Sequence, residues 1–236
     1  MNTTLVVTHA YAIRFPHYAA FLRYQLASLE SCPGVSVAIC RCMEDVRVAE
    51  VVRWFCANSS LVIRDFIQPV TRLGRRCIGR NHSAVSSRED FVFFTDVDHV
   101  FDQQVFTAIP SRFSECGPGA VMIYPKQIMI HQDHATGDAA AQSVAQSGEM
   151  RPAIDKSQFI PKIYNRAIGG VQIVRGEFAR ANGYLPQEPW QSPTETPFGD
   201  FRDDVAYRGF CLRYGSIQGV DLPGIWRLRH SETSYQ

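Results

Sequence analysis

The chain has 236 residues, a net charge of +1, and 45% hydrophobic against 20% charged side chains. That composition excludes wholesale disorder and any overall field able to recruit nucleic acid or anionic lipid. A single domain of this length buries roughly 70–75% of its unfolded surface, so it needs neither disulfide nor structural metal to hold a core.

The apolar pattern predicts a strand at Leu5–His9, an aromatic-rich loop, and a helix over Tyr18–Leu29 with Phe21, Leu22, Leu26 and Leu29 on one face. Val35–Cys40 reads as a strand behind the Pro33-Gly34 turn, Val46–Phe55 as a helix, Leu61–Phe66 as a strand and Arg76–Ser87 as a helix. Phe91–Thr95 reads as a fully buried strand. Strands alternating with helices indicate βαβ units around a parallel sheet, with the ligand at the carboxyl ends of the strands. Beyond Asp102 the alternation breaks down. Ala120–Tyr124 and Val171–Val174 read as strands, Gly176–Asn182 and Asp204–Gly209 as short helices, and the polar, Ala-rich residues 131–160 as a mobile loop. No composition shift marks a boundary, so the reading is one domain.

No apolar run reaches the ~18–20 residues of a membrane span, and the N-terminus lacks the basic and long apolar regions of a secretory signal. Seven cysteines without C-x-x-C spacing read as buried free thiols, so a reducing cytoplasm is expected. Only Lys126, Lys156 and Lys162 are lysines; all other basic residues are arginines, which suit bidentate phosphate and carboxylate contacts. A GC-rich genome gives the same bias.

The sharpest feature is Phe91-Val92-Phe93-Phe94-Thr95-Asp96-Val97-Asp98, a buried strand from whose end two carboxylates emerge. Burying both unpaired is costly, so they point to a cation and a diphosphate. The segment resembles the apolar strand and D-x-D of haloacid-dehalogenase-type phosphatases, which implies Asp96 as nucleophile and Asp98 as acid/base. That family opens with this strand and needs a later lysine, whereas here about ninety residues precede it.

A wider resemblance is to nucleotide-sugar glycosyltransferases of GT-A fold. Gly79-Arg80-Asn81 with Phe91–Asp98 is similar to the A-R-N and D-x-D segments of family-2 enzymes. Asp96-Val97-Asp98, the Gly169-Gly170-Val171 segment through Gly183, Phe198-Gly199-Asp200-Phe201-Arg202-Asp203-Asp204 and Arg227-Leu228-Arg229-His230-Ser231 resemble, in order, motifs of the β-1,4-galactosyltransferases. The resemblance implies a metal-dependent, inverting transferase of a hexose-type sugar from a UDP-sugar to a carbohydrate acceptor in surface-glycan synthesis. It implies Asp98 and His230 as ligands of Mn²⁺ or Mg²⁺, with Asp96 near the ribose or metal shell. A divalent ion there stabilises charge on the leaving diphosphate. Asp204 is implied as general base and Asp203 as the residue orienting the acceptor. Thr8, His9, Arg14, Asp65 and Arg80 are implied at the nucleotide, and Gly169 and Gly170 where backbone passes close to the donor sugar. The galactosyltransferases carry a methionine ligand where this chain has Arg227, which suits a phosphate rather than a cation.

Other features stay open. Trp190 and Phe198 suit sugar stacking or packing. Arg72, Arg75, Arg76 and Arg80 form a basic cluster that fits a phosphate, an anionic lipid-linked acceptor at a membrane surface, or a solvated face. His131, Asp133 and His134 match no metal motif and are expected at the solvent surface. A non-catalytic sugar-nucleotide or glycan-binding module is the remaining reading.

Overall fold

Chain order gives β1 (Thr4–Ala10), α1 (Tyr18–Glu30), β2 (Val35–Cys42), α2 (Val46–Asn58) and β3 (Val62–Gln68). A one-turn α3 (Val70–Leu73) and α4 (Arg76–Val85) lead into β4 (Phe91–Thr95). Then come β5 (His99–Phe101), α5 (Gln103–Cys116), β6 (Ala120–Pro125), β7 (Gln127–His131) and α6 (His134–Ser147). The chain continues through β8 (Phe159–Ile163), β9 (Val171–Arg175), α7 (Gly176–Asn182), α8 (Asp203–Cys211), β10 (Ser216–Val220) and β11 (Ile225–Arg227). These elements come from a computed structural model that describes residues 2–13, 15–193 and 202–231. Arg14 and Phe198 lie outside the described residues.

Seven strands form one sheet in the order β10-β6-β9-β4-β1-β2-β3. Neighbours are parallel except β9, which runs antiparallel to both β4 and β6. The fold is therefore the mixed, mainly parallel α/β sheet flanked by helices that the sequence predicts. β1, β2 and β4 are buried along their whole length, as strands covered on both faces must be. β3 closes one edge and is largely exposed or half-buried. On one face α1 packs Phe21, Leu22, Leu26 and Leu29 against Val6, Val37 and Phe93. The antiparallel β9 starts where β4 ends, because Thr95 pairs with Val171. That register puts Gly169 and Gly170 beside Asp96.

A second, four-stranded sheet, β5-β11-β7-β8, is absent from the sequence reading. Its three-residue strands β5 and β11 show no periodicity, yet their pairing aligns His99 with Arg227. α5 was also not foreseen, since Pro110 interrupts its pattern, although Val105, Phe106, Ile109 and Phe113 make its buried face.

The expected loop at 131–160 contains α6. Asp133 caps it by accepting from the Thr136 N–H at 2.8 Å, and Gly148 (φ 71°) ends it in the left-handed region. Its buried stripe, Gly137, Ala141 and Val144, is of small residues that an apolar-periodicity reading passes over. A Cβ at Gly137 would lie 1.5 Å from the Arg229 carbonyl oxygen, so helix and C-terminal segment meet backbone to backbone. The Ser231 N–H donates to Asp138 at 3.2 Å, and His134 Nδ1 contacts the His230 carbonyl. α6 therefore clamps the segment that carries His230. Gly137→Ala is expected to cost about 1–3 kcal/mol, as overpacking does. A melting temperature unchanged from wild type would refute the clamp.

His131 is buried against Phe159, with ring centroids 4.1 Å apart, rather than solvent-exposed as expected. Burial pushes its pKa down to about 4. A histidine depressed in the folded state contributes full stability above its unfolded pKa near 6.5 and loses it as pH falls toward 4. Stability at pH 5 is therefore expected to be about 2 kcal/mol below that at pH 7 from this group alone. His131→Phe should remove that share in denaturant titrations at the two pH values; an unchanged pH dependence would contradict the assignment.

All seven cysteines are unpaired; Cys32, Cys40, Cys42, Cys77 and Cys211 are buried, whereas Cys56 is exposed and Cys116 half-buried. Among the described residues no helix is long and apolar enough to cross a membrane.

Candidate active site

The carboxyl ends of β1 and β4, the amino end of β9, the start of α8 and the C-terminal segment converge on the D-x-D pair. Asp96 leaves β4 partly exposed, and its Oδ1 accepts from Arg76 Nη1 at 2.9 Å and Arg80 Nη2 at 3.3 Å. Arg76 and Arg80 stand four residues apart on α4 and so share a face. Both also reach Asp203, at 3.3 and 3.7 Å. Arg80 is wholly buried and further donates to the Gly169 carbonyl and the Tyr184 hydroxyl, each at 2.9 Å. Burial alone favours a neutral Asp203, but Arg76 and Arg80 outweigh it and hold the carboxyl below the usual range.

Asp98 is nearly inaccessible, with 4% of its side chain exposed. Arg227 Nε donates to its Oδ2 at 2.9 Å, and His99 Nδ1 lies 2.9 Å from Oδ1. The β5–β11 ladder makes this pairing obligatory, because the Leu228 N–H also donates to the Asp98 carbonyl at 2.8 Å. Burial opposes ionisation of Asp98, but Arg227 and His99 overcome it and keep the carboxylate charged far into acid. His230 packs between Phe21 and Tyr18, at 5.0 and 5.8 Å between ring centroids. It is close enough to Asp98 to influence its titration, and burial holds its own pKa below the ordinary value.

Asp98 and His230, the pair expected to hold a cation, lie near enough to feel each other's charge. Among the described residues no three His, Cys, Asp or Glu side chains gather to hold a metal. Asp98 already carries a guanidinium, and Asp96 carries two. A divalent ion placed here meets the positive charge of the guanidiniums already paired with these carboxylates.

Asp204 is half-buried in the first turn of α8, where its Oδ2 accepts from the Gly169 N–H at 3.1 Å. Arg202, at φ 47°, turns the chain into this helix through the left-handed region, a strain of the sort found beside functional sites. Asp203, by contrast, is buried and paired with arginines, so it anchors the site from beneath and does not face an acceptor as expected. A Cβ at Gly170 would come within 2.7 Å of His99 Cε1 and 2.8 Å of Asp96 Oδ2, so only glycine lets β9 approach the acidic pair.

The residues expected at the nucleotide divide. Thr8 and His9 are buried at the end of β1, forming floor rather than wall. Burial and the nearby Arg80 and Arg76 depress His9 below its usual pKa. Asp65 is exposed on β3 and held by Arg41 at 2.7 and 2.8 Å. Of the basic cluster, Arg76 and Arg80 face the site, Arg72 is exposed, and Arg75 donates to the Pro189 carbonyl. Trp190 packs against the core. The sequence reading missed an aromatic wall of Tyr11, Phe15 and Tyr18, whose centroids lie 5.0–5.4 Å apart. Its signal was the aromatic content of the loop after β1. Burial pushes Tyr11 up to about 12, and the charges of Arg76 and Asp96 both reach it.

The three lysines, one of which a phosphatase needs at Asp96, are all exposed, and Lys156 pairs with Asp102. A depression of about 860 Å³ opens at the other end of the strands, bordered by Thr3, Glu30, Leu61 and Glu89. It holds none of the site groups.

The sheet and its flanking helices have the fold of solved glycosyltransferase structures. Staphylococcus aureus TarS matches with a TM-score of 0.61 at 11% identity over 95% of this chain and 36% of TarS. Its 1–349 fragment, solved in complex with UDP-GlcNAc, matches with a TM-score of 0.56 at 11% identity, over 99% of this chain and 61% of the fragment. A mannosyltransferase from Pyrobaculum calidifontis in complex with GDP-Man and Mn²⁺ matches with a TM-score of 0.54 at 13% identity, over 95% of this chain and 56% of its own. The chain thus spans about a third to three-fifths of these proteins, and the likeness is one of fold. No protein-family model and no curated protein sequence matches the chain.

Proposed function

We propose that the protein transfers a glycosyl group, of hexose type, from a nucleoside-diphosphate sugar, UDP-linked in the first instance, to a hydroxyl of a glycan acceptor, with inversion. The observation that carries this reading is Asp204, held by the Gly169 N–H beside a D-x-D pair already neutralised by arginine. A half-buried carboxylate with one oxygen fixed by backbone suits a general base. In the step, the acceptor oxygen bonds to the anomeric carbon as the carbon–oxygen bond to the β-phosphate breaks. The electron pair leaves with the diphosphate, and Asp204 takes the acceptor proton. Arg76, with 32% of its side chain exposed, borders the place where the leaving charge develops, and Asp65, Tyr11 and Tyr18 border the nucleobase. The neighbours solved with UDP-GlcNAc and GDP-Man support a nucleotide-sugar donor. The unpaired cysteines support a reducing compartment.

A thermal-shift panel of UDP, GDP and their sugars tests the reading. A ligand at a hundred times its Kd adds about 2.7 kcal/mol, which at about 2–4 °C per kcal/mol shifts the melting temperature by about 5–10 °C. No shift with any nucleotide would remove the donor assignment. A shift with no sugar released or transferred to any acceptor would favour a binding module.

A further inference from the structure

We infer that Arg227 stands where a D-x-D site holds its divalent cation, so that this chain binds its nucleotide diphosphate and stabilises the leaving group without metal. The inference rests on the nucleotide-sugar reading above and departs from the metal that the sequence resemblance implies.

Three observations carry it. The Arg227 guanidinium spends Nε on Asp98 Oδ2 at 2.9 Å, while 23% of the side chain stays exposed against 4% for Asp98. The carboxylate is thus the more buried partner, and the Arg227 side chain, which also reaches Tyr164, is the more accessible one. Second, this pose is fixed by backbone as well as by charge, since the β5–β11 register aligns His99 with Arg227, and Leu228 bonds to the Asp98 carbonyl. Third, the other carboxylate is also paired with arginine, because Asp96 Oδ1 bonds to Arg76 and Arg80. Asp96, Asp98 and Asp203 meet Arg76, Arg80 and Arg227, so three carboxylate charges are already balanced by three guanidiniums. A planar guanidinium offers five donors in a fork that fits phosphate oxygens two at a time. Arg227 therefore contacts the diphosphate and receives the charge released as the glycosidic bond to phosphate breaks. Asp98 becomes a positioning residue that aims it.

The test is calorimetric UDP binding to the full chain in EDTA and in Mn²⁺, with GDP as second probe. Equal affinity within about threefold in the two conditions is the expected result. Arg227→Met, which removes the charge and supplies a thioether, should weaken binding in EDTA by about 10–100-fold, the range for a lost charge-assisted hydrogen bond, and make it respond to Mn²⁺. Arg227→Lys should fall between. Circular dichroism and melting temperature establish that each variant folds, and the wild-type comparison needs no variant. Binding at least tenfold tighter with Mn²⁺ in the wild type overturns the inference while leaving the nucleotide-sugar reading intact. Unchanged affinity of folded Arg227→Met in EDTA overturns it as well. Absence of UDP and GDP binding in both conditions overturns it together with the function on which it rests.

Discussion

Asp204→Asn is expected to slow single-turnover glycosyl transfer by about 10²–10⁴-fold, the usual cost of losing a positioned base, with UDP affinity nearly unchanged. Asparagine has the same size, and its amide oxygen can accept the Gly169 N–H that Asp204 Oδ2 accepts at 3.1 Å. The Gly169-Gly170 backbone and its approach to Asp96 should therefore survive. What disappears is the ability to take a proton at neutral pH. Asp203→Asn is the informative control. That carboxylate is buried and ion-paired with Arg76 and Arg80, so its loss should appear first in the melting temperature and only secondarily in turnover. A fall in UDP affinity matching the fall in rate would place Asp204 at the donor instead. Retention of anomeric configuration in the product would refute the base role, because a retaining transferase has no use for a proton acceptor on the face opposite the diphosphate.

The parts of this site legible in the sequence are those that local chain chemistry determines. The strand predicted at Phe91–Thr95 coincides residue for residue with β4, because four consecutive apolar residues and a β-branched threonine before two carboxylates leave no other placement. Gly169-Gly170 and the carboxylates opening α8 announced themselves by composition and order. What could not be read is what distant segments do to one another. Arg227 and Asp98 are 129 residues apart and meet only because two three-residue strands pair. Such strands carry no period of their own and exist as ladder partners. Asp203 and Asp204 look alike in sequence, yet the helix turns one under Arg76 and Arg80 and leaves the other half-buried at Gly169. The same limit explains α6. Its packing face is a stripe of small residues chosen for close approach to Arg229, so the polar composition that suggests a loop reflects only its outer side.

Arg80→Met is expected to give the largest loss of stability of any single change at the site, about 3–5 kcal/mol, the cost of breaking a buried ion pair from one side. At about 2–4 °C per kcal/mol for a chain of this size, the melting temperature should drop by about 6–20 °C. The side chain has no exposed surface and bridges four elements, reaching from α4 to Asp96 beyond β4, Gly169 before β9, Tyr184 beyond α7 and Asp203 on α8. Methionine fills much of the space but leaves Asp203 with Arg76 alone and the Gly169 carbonyl without this donor. Arg80→Lys keeps the charge but loses the planar fork, so it should recover only part of the loss. The pH dependence separates electrostatics from packing. Asp203 has its pKa depressed in the folded state, so its contribution is present above the unfolded value near 4 and is lost as pH falls through the folded value. The gap between wild type and Arg80→Met should therefore narrow as pH drops below about 4. A gap that stays constant down to pH 3 would assign the loss to packing and leave Arg80 a spacer between α4 and the glycine pair, with no electrostatic hold on the acidic cluster.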